Sequence, residues 1–249
     1  MIISRSKKFI YLSNPKCGSS TVRGYMLPHT QISLESMRSN ATQENYQNVG
    51  KLINPETLHI CAHHLKKSFD VALQNVDQNE ETVGWEDYYK FGTIRNPFKR
   101  MVSWYFFIQP DKNFQTVLDR NTEEGYDVDS AFEPHFNEYI EHLQDNSDKA
   151  LPPYSFFYTD WDTGELLVDE VFKIETIDEN FQSTIKEKLD IDLPSPLPRL
   201  LPNFTKKEEE SYNVRFKGDP YELYNDNSIA YIEDHFSSDI EAFNYEFGQ

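Results

Sequence analysis

Two short stretches of this chain hold residues whose types and spacing suit the binding of phosphate-like anions. The first is Pro15-Lys16-Cys17-Gly18-Ser19-Ser20-Thr21. It follows the β-prone run Lys8–Ser13, which ends at the turn pair Asn14-Pro15, and it leads into a segment that reads as a helix ending at Pro28. Amides at the start of a helix are unpaired and lie at the positive end of its dipole, so a strand, a turn and a helix in this order form an anion site. Gly18 permits a tight turn and the close approach of a ligand oxygen. Ser19, Ser20 and Thr21 add hydroxyl donors, and Lys16 adds a mobile cation. The patterns GxxxxGK[ST] and GxGxxG are both missing, which disfavours an ordinary kinase, GTPase or dinucleotide site.

The second stretch is Arg95-Asn96-Pro97-Phe98-Lys99-Arg100-Met101-Val102-Ser103. A strand over Tyr88–Ile94 delivers Arg95 at its end. Asn96 then reads as a helix cap and Pro97 as the first residue of a helix that reaches Ile108. Ser103 falls about two turns into that helix, with Arg100 one turn before it on the same face. The planar fork of Arg95 suits a phosphate, and Ser103 supplies a short neutral donor beside it. Between the two stretches, Leu58–Lys67 carries His59, Cys61, His63 and His64. Imidazoles titrate near neutral pH and can serve as a general base. His59, Cys61, His63 and His64 could also gather a metal, but zinc draws further ligands from elsewhere and no second Cys/His cluster offers one, so no metal is expected.

The elements that must hold these residues follow from periodicity and punctuation. Further strands are expected at Thr57–Cys61 and Val168–Ile174. Helices are expected from Ala62 to about Leu73, over Glu133–Leu143 and over Ile177–Leu189, with one long amphipathic stretch at Asn227–Phe243. Residues 193–202 hold four prolines and read as an extended connector. Strands alternating with helices predict an α/β fold with a central parallel sheet, as a single domain over residues 1–249.

Composition narrows the classes. The 249 residues carry 24 Lys plus Arg against 42 Asp plus Glu, a net charge of −18. That balance argues against binding nucleic acid or an anionic membrane. Against this background the chain has no acidic residue before Glu35, and none between Phe91 and Tyr105, so the two anion motifs lie in locally basic islands. A hydrophobic fraction of 38% excludes a disordered acidic tail. No apolar run approaches the roughly 18 residues of a membrane span, and two cysteines point to a reducing, cytoplasmic setting. Cys17 sits where a helix N-terminus lowers a thiol pKa, but its small size also suits simple packing.

Taken together, the two motifs resemble those of the sulfotransferases. PKCGSST is similar to their 5′-phosphosulfate loop, and RNPFKRMVSWY to their 3′-phosphate motif. The nearer likeness is to the carbohydrate O-sulfotransferases, a group with Golgi and short bacterial members. Leu58–Lys67, the stretch from Asp160-Trp161 to Phe181, Leu201–Lys206 and Asp239–Phe247 extend the resemblance over most of the chain, excepting roughly residues 28–56 and 110–150. It implies a P-loop-like three-layer fold and 3′-phosphoadenosine 5′-phosphosulfate (PAPS) as the donor, with 3′,5′-adenosine bisphosphate as product and no metal. It further implies that Lys16 contacts the bridging oxygen, that Lys16, Cys17, Gly18, Ser19, Ser20 and Thr21 hold the 5′ end, that Arg95 and Ser103 clamp the 3′-phosphate, and that Lys206 or Lys207 closes over the nucleotide. His59 matches the general base, with His63 and His64 as alternatives. The acceptor is expected to be a glycan or small molecule, shaped in part by the aromatic residues of the acidic stretch 110–160. A bacterial or viral source is expected. The rival readings are a non-catalytic nucleotide-binding module and an ATP-dependent phosphotransferase.

Overall fold

The first thirteen residues make two strands, β1 (Ile2–Ser4) and β2 (Phe9–Leu12), paired antiparallel with Ile3 opposite Ile10. β3 (Ile32–Ser33) adds to the other side of β1, also antiparallel. β4 (Tyr89–Ile94) lies parallel to β2, and β5 (Glu170–Lys173) parallel to β4, giving the order β3-β1-β2-β4-β5. The class is α/β, but the wholly parallel sheet expected from the alternation of elements is corrected to a mixed one. The physical reason is the β1–β2 connection: four residues can turn a hairpin but cannot make the crossover that parallel pairing requires. The computed structural model describes residues 1–30, 32–33, 60–67, 69, 84–108, 128–197 and 219–249.

The helices among these residues are α1 (Ser19–Met26), α2 (Ala62–Lys67), α3 (Pro97–Ile108), α4 (Val128–Asp145), α5 (Tyr154–Tyr158), α6 (Ile177–Leu189), α7 (Asp226–His235) and α8 (Ser237–Phe243). They belong to two compact units, Met1–Arg95 with Tyr154–Leu201, and Asn96–Pro153 with Pro202–Gln249.

The first unit contains the sheet. Alternate strand residues face opposite ways, so each face collects its own core. Ile3, Ile10 and Leu12 pack with Ala62 and Leu65 of α2 and with Phe157 and Tyr158 of α5. Ile2, Phe9, Tyr11, Phe91 and Phe172 pack with Val22 and Met26 of α1 and with Phe181 and Ile185 of α6. Helices therefore cover both faces of this sheet. α6 has the predicted bounds. Its core residues Ile177, Phe181 and Ile185 recur at one-turn spacing, and its first turn carries Asp178 and Glu179, where acidic charge complements the dipole.

The second unit is helical. Phe98, Met101 and Tyr105 of α3 meet Phe136 and Ile140 of α4 and Ile232 and Phe236 of the C-terminal pair. α3 starts as its sequence predicts: the Asn96 side chain accepts from the Phe98 amide at 3.0 Å, one residue after Pro97 opens the helix. α4 begins five residues before the expected Glu133, with Pro134 inside the helix. The single amphipathic stretch expected over Asn227–Phe243 is two helices, α7 and α8, broken at Phe236, which leaves helical geometry to fill the core. α5 lies in a stretch that reads as loop from sequence alone. The strand expected at Thr57–Cys61 is represented by Ile60, and residues 57–59 lie outside the described residues.

Candidate active site

The carboxyl ends of β2, β4 and β5 lie side by side at one edge of the first unit's sheet. Leu12 is level with Gly92, and Ile94 with Lys173. In open α/β sheets this is the edge where ligands bind. Both anion motifs leave from it: Lys16 to Thr21 follow β2, and Arg95 follows β4.

The loop after β2 has the form of an anion cradle. Lys16 and Gly18 are both left-handed, with φ of 62° and 69°. These two reversals turn the chain sharply between the Cys17 amide, which donates to the Asn14 carbonyl at 3.3 Å, and α1. Gly18 itself caps α1, with no side chain closing the helix start and no acidic residue in the first turn. The amides and hydroxyls of Ser19 and Ser20 thus begin the helix with its positive end uncovered. A β-carbon on Gly18 would come within 2.3 Å of Ile174 Cδ1 and 2.7 Å of its Cγ1. Ile174 directly follows β5, so glycine allows the loop to rest on the third strand end. Cys17 is fully buried, and its thiol donates to the Pro15 carbonyl at 3.4 Å. Of the two readings of this cysteine, packing is the one its surroundings match.

Of the residues singled out from sequence, Lys16 to Thr21 and Arg95 share one sheet edge. Ser103 lies on α3 in the second unit, partly buried. His59 and Lys206 lie outside the described residues. Arg100, expected on the face of Ser103, is fully buried, 3.7 Å from the equally buried Asp239 carboxylate and 5.5 Å over the Phe236 ring. A guanidinium surrounded by core side chains, with a carboxylate as counter-ion, serves the packing of α3 rather than a ligand.

The histidines of α2 make a second cluster in the first unit. The His63 ring stacks on the indole of Trp161 at 5.0 Å and 8°, and its Nδ1 accepts the Trp161 backbone N–H at 3.1 Å. Asp160 Oδ1 also approaches Nδ1, at 3.3 Å. These two contacts ask opposite things of one nitrogen, since the amide needs a lone pair and the carboxylate a proton. The amide is the contact that meets hydrogen-bond geometry, so the neutral ring carries its hydrogen on Nε2. Hydrogen bonds from the Asp162 and Thr163 backbone, with a smaller contribution from His63, hold the Asp160 carboxyl below the usual carboxylate range. His63, Asp160 and Asp162 lie close enough to face one cation, but the Asp162 carboxylate is already paired with Lys67 at 2.9 Å.

His64 differs from its neighbour. Its Nδ1 lies 3.3 Å from Cys61 Sγ. Partial burial, then the charges of His63 and Lys67, push its pKa below that of a free histidine. Burial also raises the Cys61 thiol, so this pair rests as thiol and neutral imidazole. The sign of the consequence is fixed: the unfolded chain binds a proton at His64 more readily than the folded one, so the contribution of His64 to stability is lost as pH falls below about 6.5. Melting curves from pH 7.5 down to 5 should show a loss of stability in the wild type that is smaller in His64→Asn. Equal losses in the two proteins would rule out this origin.

Asp160 and Trp161 have no local signal for a part in this cluster, because the contacts that place them against His63 join residues almost a hundred positions apart. Tyr158 carried no signal at all. A family model described as the sulfotransferase family matches residues 1–246, nearly the full chain. Neither the curated proteins nor the solved structures provide a match.

Proposed function

The chain belongs to the sulfotransferase family, and from that premise we propose that it moves a sulfuryl group from PAPS to a hydroxyl of a carbohydrate or other small acceptor. The single observation that carries this reading is the sheet edge from which both the Gly18 loop and Arg95 emerge. In this assignment the loop amides and the hydroxyls of Ser19, Ser20 and Thr21 take the 5′-phosphosulfate. Arg95 and Ser103 take the 3′-phosphate, the group that separates this donor from ATP, and Lys206 covers the nucleotide. The whole chain acts as one sulfotransferase domain of P-loop-like, three-layer build.

The reaction is an in-line displacement. The acceptor oxygen forms a bond to sulfur as the bond from sulfur to the bridging 5′-phosphate oxygen breaks, and the acceptor proton passes to a base. Negative charge accumulates on the leaving oxygen, and the ammonium of Lys16 is the compact cation that meets it. Positioning of the two partners supplies much of the remaining acceleration. His59 is assigned as the base by its place in the motif. A second reading favours His64, which is held neutral and whose Nε2 has no hydrogen-bond partner among the described residues.

Calorimetry with 3′,5′-adenosine bisphosphate, ATP and 5′-AMP tests the donor site. Wild type should prefer the bisphosphate. In Arg95→Ala that preference should shrink by about tenfold or more, the size expected when a charged pair loses one partner. Equal affinity for all three nucleotides in the wild type would end the proposal.

A further inference from the structure

The two anion groups of a PAPS-like donor hang from one ribose, so a site that reads both must hold the β2 loop and Arg95 at a fixed separation. The β2–β4 ladder sets this separation as far as Leu12 and Gly92. Beyond that rung a side chain takes over. The Tyr158 hydroxyl, fully buried, accepts the Thr93 amide hydrogen at 3.1 Å. It also lies 2.9 Å from the Thr93 carbonyl and 3.2 Å from the Leu12 carbonyl, and its one hydrogen is shared between these two acceptors. One oxygen thus spans the last residue of β2 and the penultimate residue of β4.

The placement of this hydroxyl is over-determined. The Tyr158 ring lies against Gly92, where a β-carbon would come within 2.4 Å of Cζ, so only glycine leaves room for it. The Tyr158 carbonyl accepts from the Leu167 amide at 2.7 Å, which ties the same residue to the segment entering β5. The hydroxyl thus meets the two strand ends that carry the anion motifs, and the backbone of the same residue is anchored to the segment that leads into β5. On the opposite face of the sheet, Tyr11 Oη lies 3.0 Å from Thr93 Oγ1. That bond is equally buried and touches the same residue, but it reaches a side chain and leaves the backbone of the strand ends alone.

We propose that Tyr158 is a positioning residue of the donor site, its hydroxyl setting the separation between the loop that binds the 5′ group and the arginine that binds the 3′-phosphate. The inference rests on the donor reading given above. It predicts a defect confined to ligands that engage both ends. In Tyr158→Phe, which keeps the ring over Gly92, affinity for 3′,5′-adenosine bisphosphate should fall by about tenfold, the effect of leaving buried strand-end groups unpaired. Affinity for 5′-AMP, which engages the loop alone, should stay within about twofold. Tyr11→Phe is the matched control: it removes a buried hydroxyl of comparable environment and should leave the ratio of the two affinities at its wild-type value.

The test is calorimetry of both nucleotides on the three full-length proteins, with melting temperatures recorded alongside. A selective loss in Tyr158→Phe but not in Tyr11→Phe supports the assignment. A wild-type ratio retained in Tyr158→Phe, or the same change in both variants, overturns it while leaving the donor reading intact. Absence of bisphosphate preference in the wild type removes both.

Discussion

Replacing Lys16 by methionine should lower kcat by about 10²–10³-fold while changing affinity for 3′,5′-adenosine bisphosphate only a few-fold. The substitution keeps the length and apolar stem of the side chain and removes its charge. Lys16 already occupies the left-handed region at φ 62°, a conformation that methionine tolerates no worse, so the turn is not additionally strained. The remaining parts of the cradle, Gly18 and the start of α1, are untouched. Charge on the leaving oxygen exists fully only as the bond to sulfur breaks, so the lost interaction belongs to the transition state and not to nucleotide binding. Conversion of PAPS to bisphosphate in the presence of an acceptor found by screening reads kcat, and calorimetry reads binding. A variant that loses affinity and keeps kcat would assign Lys16 to ground-state binding and remove it from the chemical step.

A comparably large effect, on stability, is expected from Asp239→Ala. Arg100 and Asp239 are both fully buried, and removing the carboxylate leaves a guanidinium in the core of the second unit beside Phe236. Removing one partner of a buried charged pair costs about 3–5 kcal/mol, a large part of the stability of a typical domain. Urea unfolding should show the midpoint shifting without a change in slope where the unit unfolds in one step. The double replacement Arg100→Leu with Asp239→Leu should recover much of that loss, because two apolar side chains of adequate volume need no partner. A single Asp239→Ala variant as stable as wild type would mean that the pair does not carry the packing of α8 on α3. Because the arginine lies within the RNPFKR segment, the result also bears on the site: the defect should appear in stability, with bisphosphate selectivity retained in whatever fraction stays folded.

Local chemistry determined a great deal of this protein on its own. The turn Asn14-Pro15, the glycine at 18 and the run of hydroxyl residues specify a strand, a sharp reversal and a helix start, and that is what the chain forms. Asn96 before Pro97 specifies a capped helix, and the cap bond is present. The one-turn recurrence of Ile177, Phe181 and Ile185 gives α6 its bounds. In each case the information lies within a few residues, in backbone preference, capping and periodicity, and needs no distant partner.

What tertiary structure decided has the opposite character. The hairpin that makes the sheet mixed depends on which strand finds which neighbour, and three-residue β1 is too short to announce itself. Arg100 reads as a neighbour of Ser103 on one helix face, and the folded chain brings Asp239 from α8 to it as a buried counter-ion. The pairing of His63 with Asp160 and the hold of Tyr158 on Leu12 and Thr93 join residues 65 to 146 positions apart. Contacts of this kind leave no local pattern, because a buried hydrogen bond or ion pair fixes the two groups that meet and not the sequence between them. The motifs could therefore be found from sequence. Their common edge, and the hydroxyl that spaces them, required the folded chain.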